Sequence, residues 1–399
     1  MNNIPFDELK SSHRESMHIL YIYPEITIKG GADKVIVEKA NYFANHGYDV
    51  TIVTEAQMGR EPSFPLDEKV KHIDMGIDFN RQYSQHGLQR LLTYCGMLRK
   101  YKKRLGKTLI KERPNIVMTM MGRSIDFITD IHDSSIKVGE VHSVKANVRS
   151  LNVMERKGGL RRIIAQLMRW HVSKKVSQLD AMVLLTQQDA DSWSEAKQTF
   201  VIPNAVPQFP DCCSNLENKQ VLMVARYNDA KGYEYLVEAW QSVHERHPDW
   251  TLNVYGSGEL HDDVIRWIQE RHLSSSIILH DPVDNIMDKY LESSIFVMSS
   301  RYEAFPMVLL EAMACGVPCV SFDCPYGPRN IIRNGEDGIL VDYLNSQALA
   351  ESICRLIENE PLRKQFGAKA RQNIQRFSQD AVMHQWDELF NTLMKQHRL

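Results

Sequence analysis

HILYIYPEITIKGGADKVIVEKANYFANHGYDVTIVT, residues 18–54, reads as a β-branched run, a glycine-marked loop, an amphipathic segment and a second β-branched run. Ile19–Tyr23 and Val50–Thr54 have the near-continuous apolar character of strands buried on both faces. Between them, Ala32–His46 has helical period: Ile36, Ala40, Phe43 and Ala44 share a face, and Gly47 follows where a left-handed C-terminal cap is wanted. The stretch is a complete βαβ unit, which predicts a parallel sheet covered by helices.

The same alternation continues outward. Further strands are expected at Ile116–Met120, Val138–Val141 and Ala181–Leu184. The pattern stops at Val201-Ile202-Pro203-Asn204-Ala205-Val206-Pro207 and enters a polar stretch with Pro210, Cys212 and Cys213, the expected linker. A second series follows: Val221–Val224, Leu252–Tyr255, Ile277–Leu279, Ile295–Met298 and Val317–Phe322, with helices such as Tyr235–His244 and Asp262–His272 between them. Asn345 to Leu399 reads as helical, and Trp386, Leu389 and Phe390 make an apolar face on its last segment. The expected fold class is α/β, two doubly wound Rossmann-like domains whose strand ends face a shared cleft.

Length and composition agree with that reading. At 399 residues, 43% hydrophobic and 25% charged, the chain has the material for two cores, which excludes a small stapled module or a disordered chain. Seven cysteines are an odd number and make no disulfide framework, so a reducing, intracellular location is expected. Cys315, Cys319 and Cys324 have Pro318 among them and Pro325 after them, and no histidine nearby to complete a zinc site. Residues 1–16 are charged, contain a proline and read as a loose leader, not a signal peptide. No run of 18 apolar residues occurs, so no membrane span is expected. The formal net charge of −2 conceals an asymmetry: residues 1–200 sum to +7 and residues 201–399 to −9.

Three loops carry candidate chemistry. In Ile28-Lys29-Gly30-Gly31-Ala32, paired glycines at a helix start let backbone approach an anion, although a plain turn explains them equally. The dinucleotide pattern Gly-x-Gly-x-x-Gly is absent, which argues against a dehydrogenase. After Val221–Val224, Arg226 and Lys231 stand five apart around a turn and can converge on a diphosphate; the alternative is two solvated cations. The third segment, Ser299 to Pro318, is a strand end, a loop and a helix, with Pro306 expected in the first turn and Gly316 at the end. Glu303 lies in its loop and Glu311 in its helix, while the N–H groups of Met307 and Val308 offer an anion site. Hydroxyl recognition, a phosphate cradle and a ribose carboxylate together describe a nucleotide sugar. Either Glu alone also reads as a cap or a surface charge.

Arg226 with Lys231, Glu303 and Glu311 with seven residues between them, and LLEAMACGVPCV (residues 309–320) resemble the retaining glycosyltransferases of family four, of bacterial surface-polysaccharide type. The resemblance covers most of the chain, through Val201–Val206 as a hinge to Asn334–Val341. It implies the GT-B fold, with an acceptor-side domain at 17–202, a linker at 203–219, a donor-binding domain at 220–376 and a C-terminal helix at 377–399 returning toward the first domain. It implies that Arg226 and Lys231 hold the donor diphosphate, Glu311 the ribose and Glu303 the donor sugar. His142 would face the sugar from the opposite domain. Gly30 and Gly31 would lie near the phosphates, Gly256 and Gly258 would form a nucleotide-side loop, and the loop Ala304, Phe305 and Pro306 with Met307 and Val308 would line the donor site. Ala304, Asp33 and Arg329-Asn330 depart from the usual glycine, glutamate and Ser-Glu, which leaves donor preference open.

The function implied is transfer of a hexose or N-acetylhexosamine from a nucleotide sugar, UDP-sugar favoured, to a lipid-linked or saccharide acceptor in polysaccharide biosynthesis. Retention would need leaving-group stabilisation, supplied without metal or cofactor. The one Asp-x-Asp, Asp189-Ala190-Asp191 after Thr186, reads as a helix-start feature. Leu88–Arg113 and Ser143–Val176 each hold nine basic residues against one acid, with apolar partners at helical spacing: Leu91, Leu98, Leu105 and Leu109, or Leu160, Ile163, Ile164, Leu167, Met168 and Trp170. Such segments suit an anionic membrane surface on the cytoplasmic side, each nearby cation contributing about 1 kcal/mol. Ordinary core stripes with solvated cations are the alternative. No nucleic-acid motif accompanies the charge. The competing functions are a soluble transferase on a small-molecule or protein acceptor, a sugar-nucleotide epimerase of the same fold, and a non-catalytic binding module.

Overall fold

A computed structural model describes residues 17–27, 30–145, 148 and 159–397. The expected leader at 1–16, Ile28 and Lys29, the basic Arg149, Arg156 and Lys157, and the side chain of Leu160 lie outside the described residues.

Two sheets are formed, and every described pair of neighbouring strands is parallel. The first contains β1 (His18–Tyr23), β2 (Asp49–Thr54), β3 (Lys71–Asp74), β4 (Ile116–Thr119), β5 (Ile136–Glu140), β6 (Ala181–Leu184) and β7 (Thr199–Val201), in the order β3-β2-β1-β4-β5-β6-β7. The second contains β8 (Gln220–Val224), β9 (Thr251–Tyr255), β10 (Ile277–His280), β11 (Ile295–Met298), β12 (Cys319–Phe322) and β13 (Gly338–Val341), in the order β10-β9-β8-β11-β12-β13. Strand order reverses between β1 and β4 and again between β8 and β11, and open parallel sheets bind ligands at such reversals.

Apolar residues on both faces of each sheet explain why helices cover both. One face of the first sheet takes the Gly31–Asn45 helix through Ile36, Ala40 and Phe43; the other takes Gly87–Glu112 and Gly159–Val176 through Tyr101, Leu105, Leu109, Val172 and Val176. Tyr233–Arg246, His261–Glu270 and Ser346–Glu358 cover one face of the second sheet through Trp240, Val243, Val264, Ile268 and Ile353. The Met307–Ala314 helix covers the other. Burying each such side chain contributes about 1.5–3 kcal/mol. The final helix, Gln379–His397, leaves the second sheet and packs Trp386, Leu389 and Phe390 into the core of the first. Phe43 and Phe390 meet edge to face at 5.4 Å, and the Tyr42 hydroxyl donates to Asp380 at 3.3 Å.

Several expectations are corrected. The strand expected at Val317–Phe322 begins only at Cys319, because Gly316 (φ +72°) turns the chain and Pro318 has no N–H to donate. Pro306 is not within the first helical turn: it caps the helix in extended conformation (ψ 107°), and Met307 starts it. The stripe Leu91, Leu98, Leu105 and Leu109 is split, since Leu105 and Leu109 are buried while Leu91 is exposed beside Leu88 and Leu92. On the Gly159–Val176 helix, Ile163, Ile164, Leu167 and Trp170 are exposed, Trp170 at 64%. Among the described residues no helix is long and apolar enough to cross a membrane.

Candidate functional site

The loops after β1, β5, β8, β9 and β11 meet at one cavity of about 740 Å³ between the two sheets. From the first sheet come Gly30, Gly31 and His142; from the second come Arg226, Lys231, Gly256, Glu303, Ala304, Phe305, Pro306, Met307 and Val308. Two of the expected residues stand apart from the cavity lining, Glu311 and Gly258.

Helix starts from both sheets border the cavity. Gly31 begins one helix and lies where an added Cβ would be 3.5 Å from Met307 Cγ, the first residue of the other. Two N-termini directed at one volume favour an anion there. The Arg226 side chain is exposed and makes no hydrogen bond or ion pair among the described residues, so its guanidinium is available to a ligand. Lys231 Nζ bonds Glu303 Oε1 at 2.5 Å, and the Ser300 hydroxyl donates to the same oxygen at 2.8 Å. The cavity thus holds an unpaired cation, a paired cation and a carboxylate within the space of an elongated polar ligand.

Backbone packing sets these side chains. The Arg226 loop is clamped on the 255–258 loop by Ala225 N to Tyr255 O (3.0 Å) and Tyr227 N to Ser257 O (2.9 Å). A Cβ at Gly256 would collide with the Ala225 carbonyl oxygen and one at Gly258 with that of Tyr227, so both glycines serve this close approach. Phe305 reaches the cavity edge, but its ring packs on Phe377 at 5.4 Å. Glu311 accepts from the Tyr290 hydroxyl at 2.9 Å; burial pushes its carboxyl up, opposed by the Lys34 ammonium and that hydrogen bond. Glu38 is raised by burial to about 7, with the charge of Glu311 adding to the rise and Lys34 opposing it. The two carboxylates come from helices on opposite sheets, so the sheets approach closely here.

His142 Nε2 lies 2.8 Å from Glu140 Oε1. In the Asp189-Ala190-Asp191 segment, the Thr186 side chain accepts from Asp189 N, Asp189 Oδ1 accepts from Lys145 N at 3.2 Å, and Asp191 accepts from Gln187 at 2.7 Å. Both carboxylates are engaged within the short helix Gln187–Ser192.

Residues 210–373 match the family of glycosyl transferases group 1. The chain carries a group 1 glycosyl transferase domain. Over 388 residues, 94% of this chain and 99% of the relative, it is 27% identical to the amylovoran biosynthesis glycosyltransferase AmsD of Erwinia amylovora. A 223-residue part, 54% of this chain, is 36% identical to an exopolysaccharide phosphotransferase of Streptomyces coelicolor and spans only 24% of that protein. TarM of Staphylococcus aureus, solved in complex with fondaparinux, α-GlcNAc-glycerol and UDP, matches with a TM-score of 0.74 at 16% identity, covering 94% of this chain and all of that one. At that identity the likeness speaks for the fold, which is GT-B.

Within the glycosyl transferase domain fall Arg226, Lys231, Glu303 and Glu311, all on loops or helices that follow strands of the second sheet. Three residues of this domain that position the site escape a reading by motif. Gly232 (φ +60°) lets the Lys231 loop pass against the Ser299 carbonyl, where a Cβ would collide. Gly327 N donates to Glu303 O at 2.9 Å, and a Cβ there would lie 2.5 Å from Pro306 Cδ. Ser300 bonds the catalytic candidate Glu303 directly. The only sequence signal for the two glycines is their place in loops after strands.

Proposed function

We propose that this cleft transfers a hexose or N-acetylhexosamine from a UDP-sugar, with retention of configuration, to a lipid-linked or saccharide acceptor in polysaccharide biosynthesis. The observation that carries the reading is the convergence of Arg226, the Lys231–Glu303 pair and two helix N-termini on one cavity. Arg226, Lys231 and the Met307 helix start would take the diphosphate and stabilise charge as it leaves, Glu303 and His142 would contact the sugar, and Glu311 the ribose. Lys231 need only exchange Glu303 for a phosphate oxygen. These cations supply the stabilisation without a metal, so turnover should persist in excess chelator. The name of AmsD supports a polysaccharide product, and the UDP bound by TarM supports UDP as the nucleotide.

Membrane docking on the cytoplasmic side belongs to the same reading. Leu88, Leu91 and Leu92 on one helix, and Ile163, Ile164, Leu167 and Trp170 on another, are exposed on the basic half of the chain. Exposed apolar residues beside lysines and arginines match an anionic bilayer surface. The test is a UDP-release assay over a panel of UDP-sugars with short saccharide and polyprenyl-diphosphate acceptors, and proton NMR of the product anomer. Turnover of one donor with an α product, lost in Glu303→Gln, is expected; inversion, or undiminished turnover in that variant, contradicts the proposal.

A further inference from the structure

Behind the cleft lies a buried ion pair with no part in the chemistry just described. Lys39, on the Gly31–Asn45 helix, is 1% exposed, and Glu140, at the end of β5, is 2% exposed; their side chains form an ion pair. Replacing such a pair by apolar side chains is often neutral or stabilising, so stability alone does not account for it. Glu140 Oε1 is bonded by both Lys39 Nζ and His142 Nε2, the latter at 2.8 Å, while Glu140 Oε2 is buried without a partner among the described residues. Lys39 and His142 therefore converge on one oxygen. Lys39 Nζ is enclosed by aromatic faces, 4.0 Å from the Trp386 ring centroid and 5.3 Å from that of Tyr21.

We propose that Glu140, paired with Lys39, is a positioning residue that holds the His142 imidazole with its Nε2–H turned inward and leaves Nδ1 to face the donor sugar. The inference rests on the reading of His142 as a cleft residue that meets that sugar. The geometry is local: residues 140 and 142 alternate back to the same side of an extended segment, and Val141 N continues the ladder to Val183 O at 3.0 Å. A carboxylate on one ring nitrogen selects which nitrogen meets the ligand. Burial pushes the Glu140 carboxyl up, but Lys39 and His142 outweigh it and hold it at about 2, so it remains an acceptor. Burial pulls the Lys39 ammonium down, opposed by Glu140. Trp386 sits on the C-terminal helix, so the docking of that helix completes the enclosure of Lys39 and thereby supports His142.

The test uses the full chain labelled with 15N-histidine at pH 8, the His142 signals being assigned by their loss in His142→Gln. A proton on Nε2 supports the proposal; an unprotonated Nε2 overturns it, whatever the enzyme turns over. The second arm compares UDP release from the best UDP-sugar of the panel, and UDP affinity by calorimetry, in His142→Gln and in Lys39→Met/Glu140→Met. The double variant removes both charges together, so neither is left buried alone. A kcat lower by about 10–100-fold with UDP affinity within about twofold, and no further loss when His142→Gln is added, is expected. Full turnover in the double variant while His142→Gln is impaired overturns the positioning role, as does an additive triple variant. Full turnover in His142→Gln instead removes the reading of His142 and leaves the NMR result to decide the role of Glu140.

Discussion

Lys231 and Glu303 pair at 2.5 Å in the cleft, and Ser300 shares the carboxylate. Removing either charge changes the field where a diphosphate would leave. Lys231→Ala and Glu303→Gln should each lower turnover by about 10²–10³-fold in a UDP-release assay, the range for deleting one group that stabilises developing charge. Spacing alone leaves Arg226 and Lys231 open as solvated cations and Glu303 as a cap or surface charge, and it puts Pro306 inside a helix that starts at Met307. The loops that hold Arg226, Lys231 and Glu303 were nevertheless legible, because each follows a β-branched run. Gly232 and Gly327 were not, since what they serve is close approach of loops distant in sequence, which spacing does not encode. Gly232→Ala should cost about 1–3 kcal/mol in urea unfolding, because it combines a positive φ with a collision at Ser299, and it should weaken UDP binding as well.

At the scale of elements, buried strands announce themselves and edge strands do not. β1, β2, β6, β8, β9 and β11 are mostly apolar runs that alternate with amphipathic helices, and each is read from sequence within one or two residues. β3 is KHID, a polar edge strand with no apolar run. β7 has three residues and runs into the proline-containing segment at 202–207, and β13, which begins at Gly338, follows a turn-rich segment. Periodicity alone could not separate core stripes from exposed ones on the basic helices, because Leu91 and Leu105 have the same spacing and opposite burial. The C-terminal helix is held by fully buried Phe390 and its neighbours, so Phe390→Ala should cost about 3–5 kcal/mol in urea unfolding. By contrast, Leu167→Ser and Trp170→Ser should leave the unfolding midpoint unchanged, being exposed, and should reduce partition onto vesicles.

For the whole molecule, the +7 and −9 halves follow the two sheets, except that the Gln379–His397 helix of the acidic half packs on the first sheet. Flotation with vesicles should show binding to anionic and not to neutral lipid, and that binding should fall as salt shortens the range of the attraction. Equal binding to both compositions contradicts electrostatic docking. The approach of the two sheets also carries a pH signature. Glu38 is raised from 4.5 to about 7, so the folded chain holds this proton more tightly than the unfolded chain does. Its contribution to stability is complete below about 4.5 and is lost as the pH rises through 7. Glu38→Gln should accordingly raise the urea midpoint at pH 8 and leave it unchanged at pH 4.

The claim on which the rest depends is that the cleft between the sheets grips a nucleoside diphosphate through Arg226 and Lys231. Calorimetric titration of UDP into the intact chain and into Arg226→Ala/Lys231→Ala measures this directly. One saturable site, weakened at least about tenfold in the double variant, is the predicted result. Absence of UDP binding, or equal affinity in the two proteins, would contradict it.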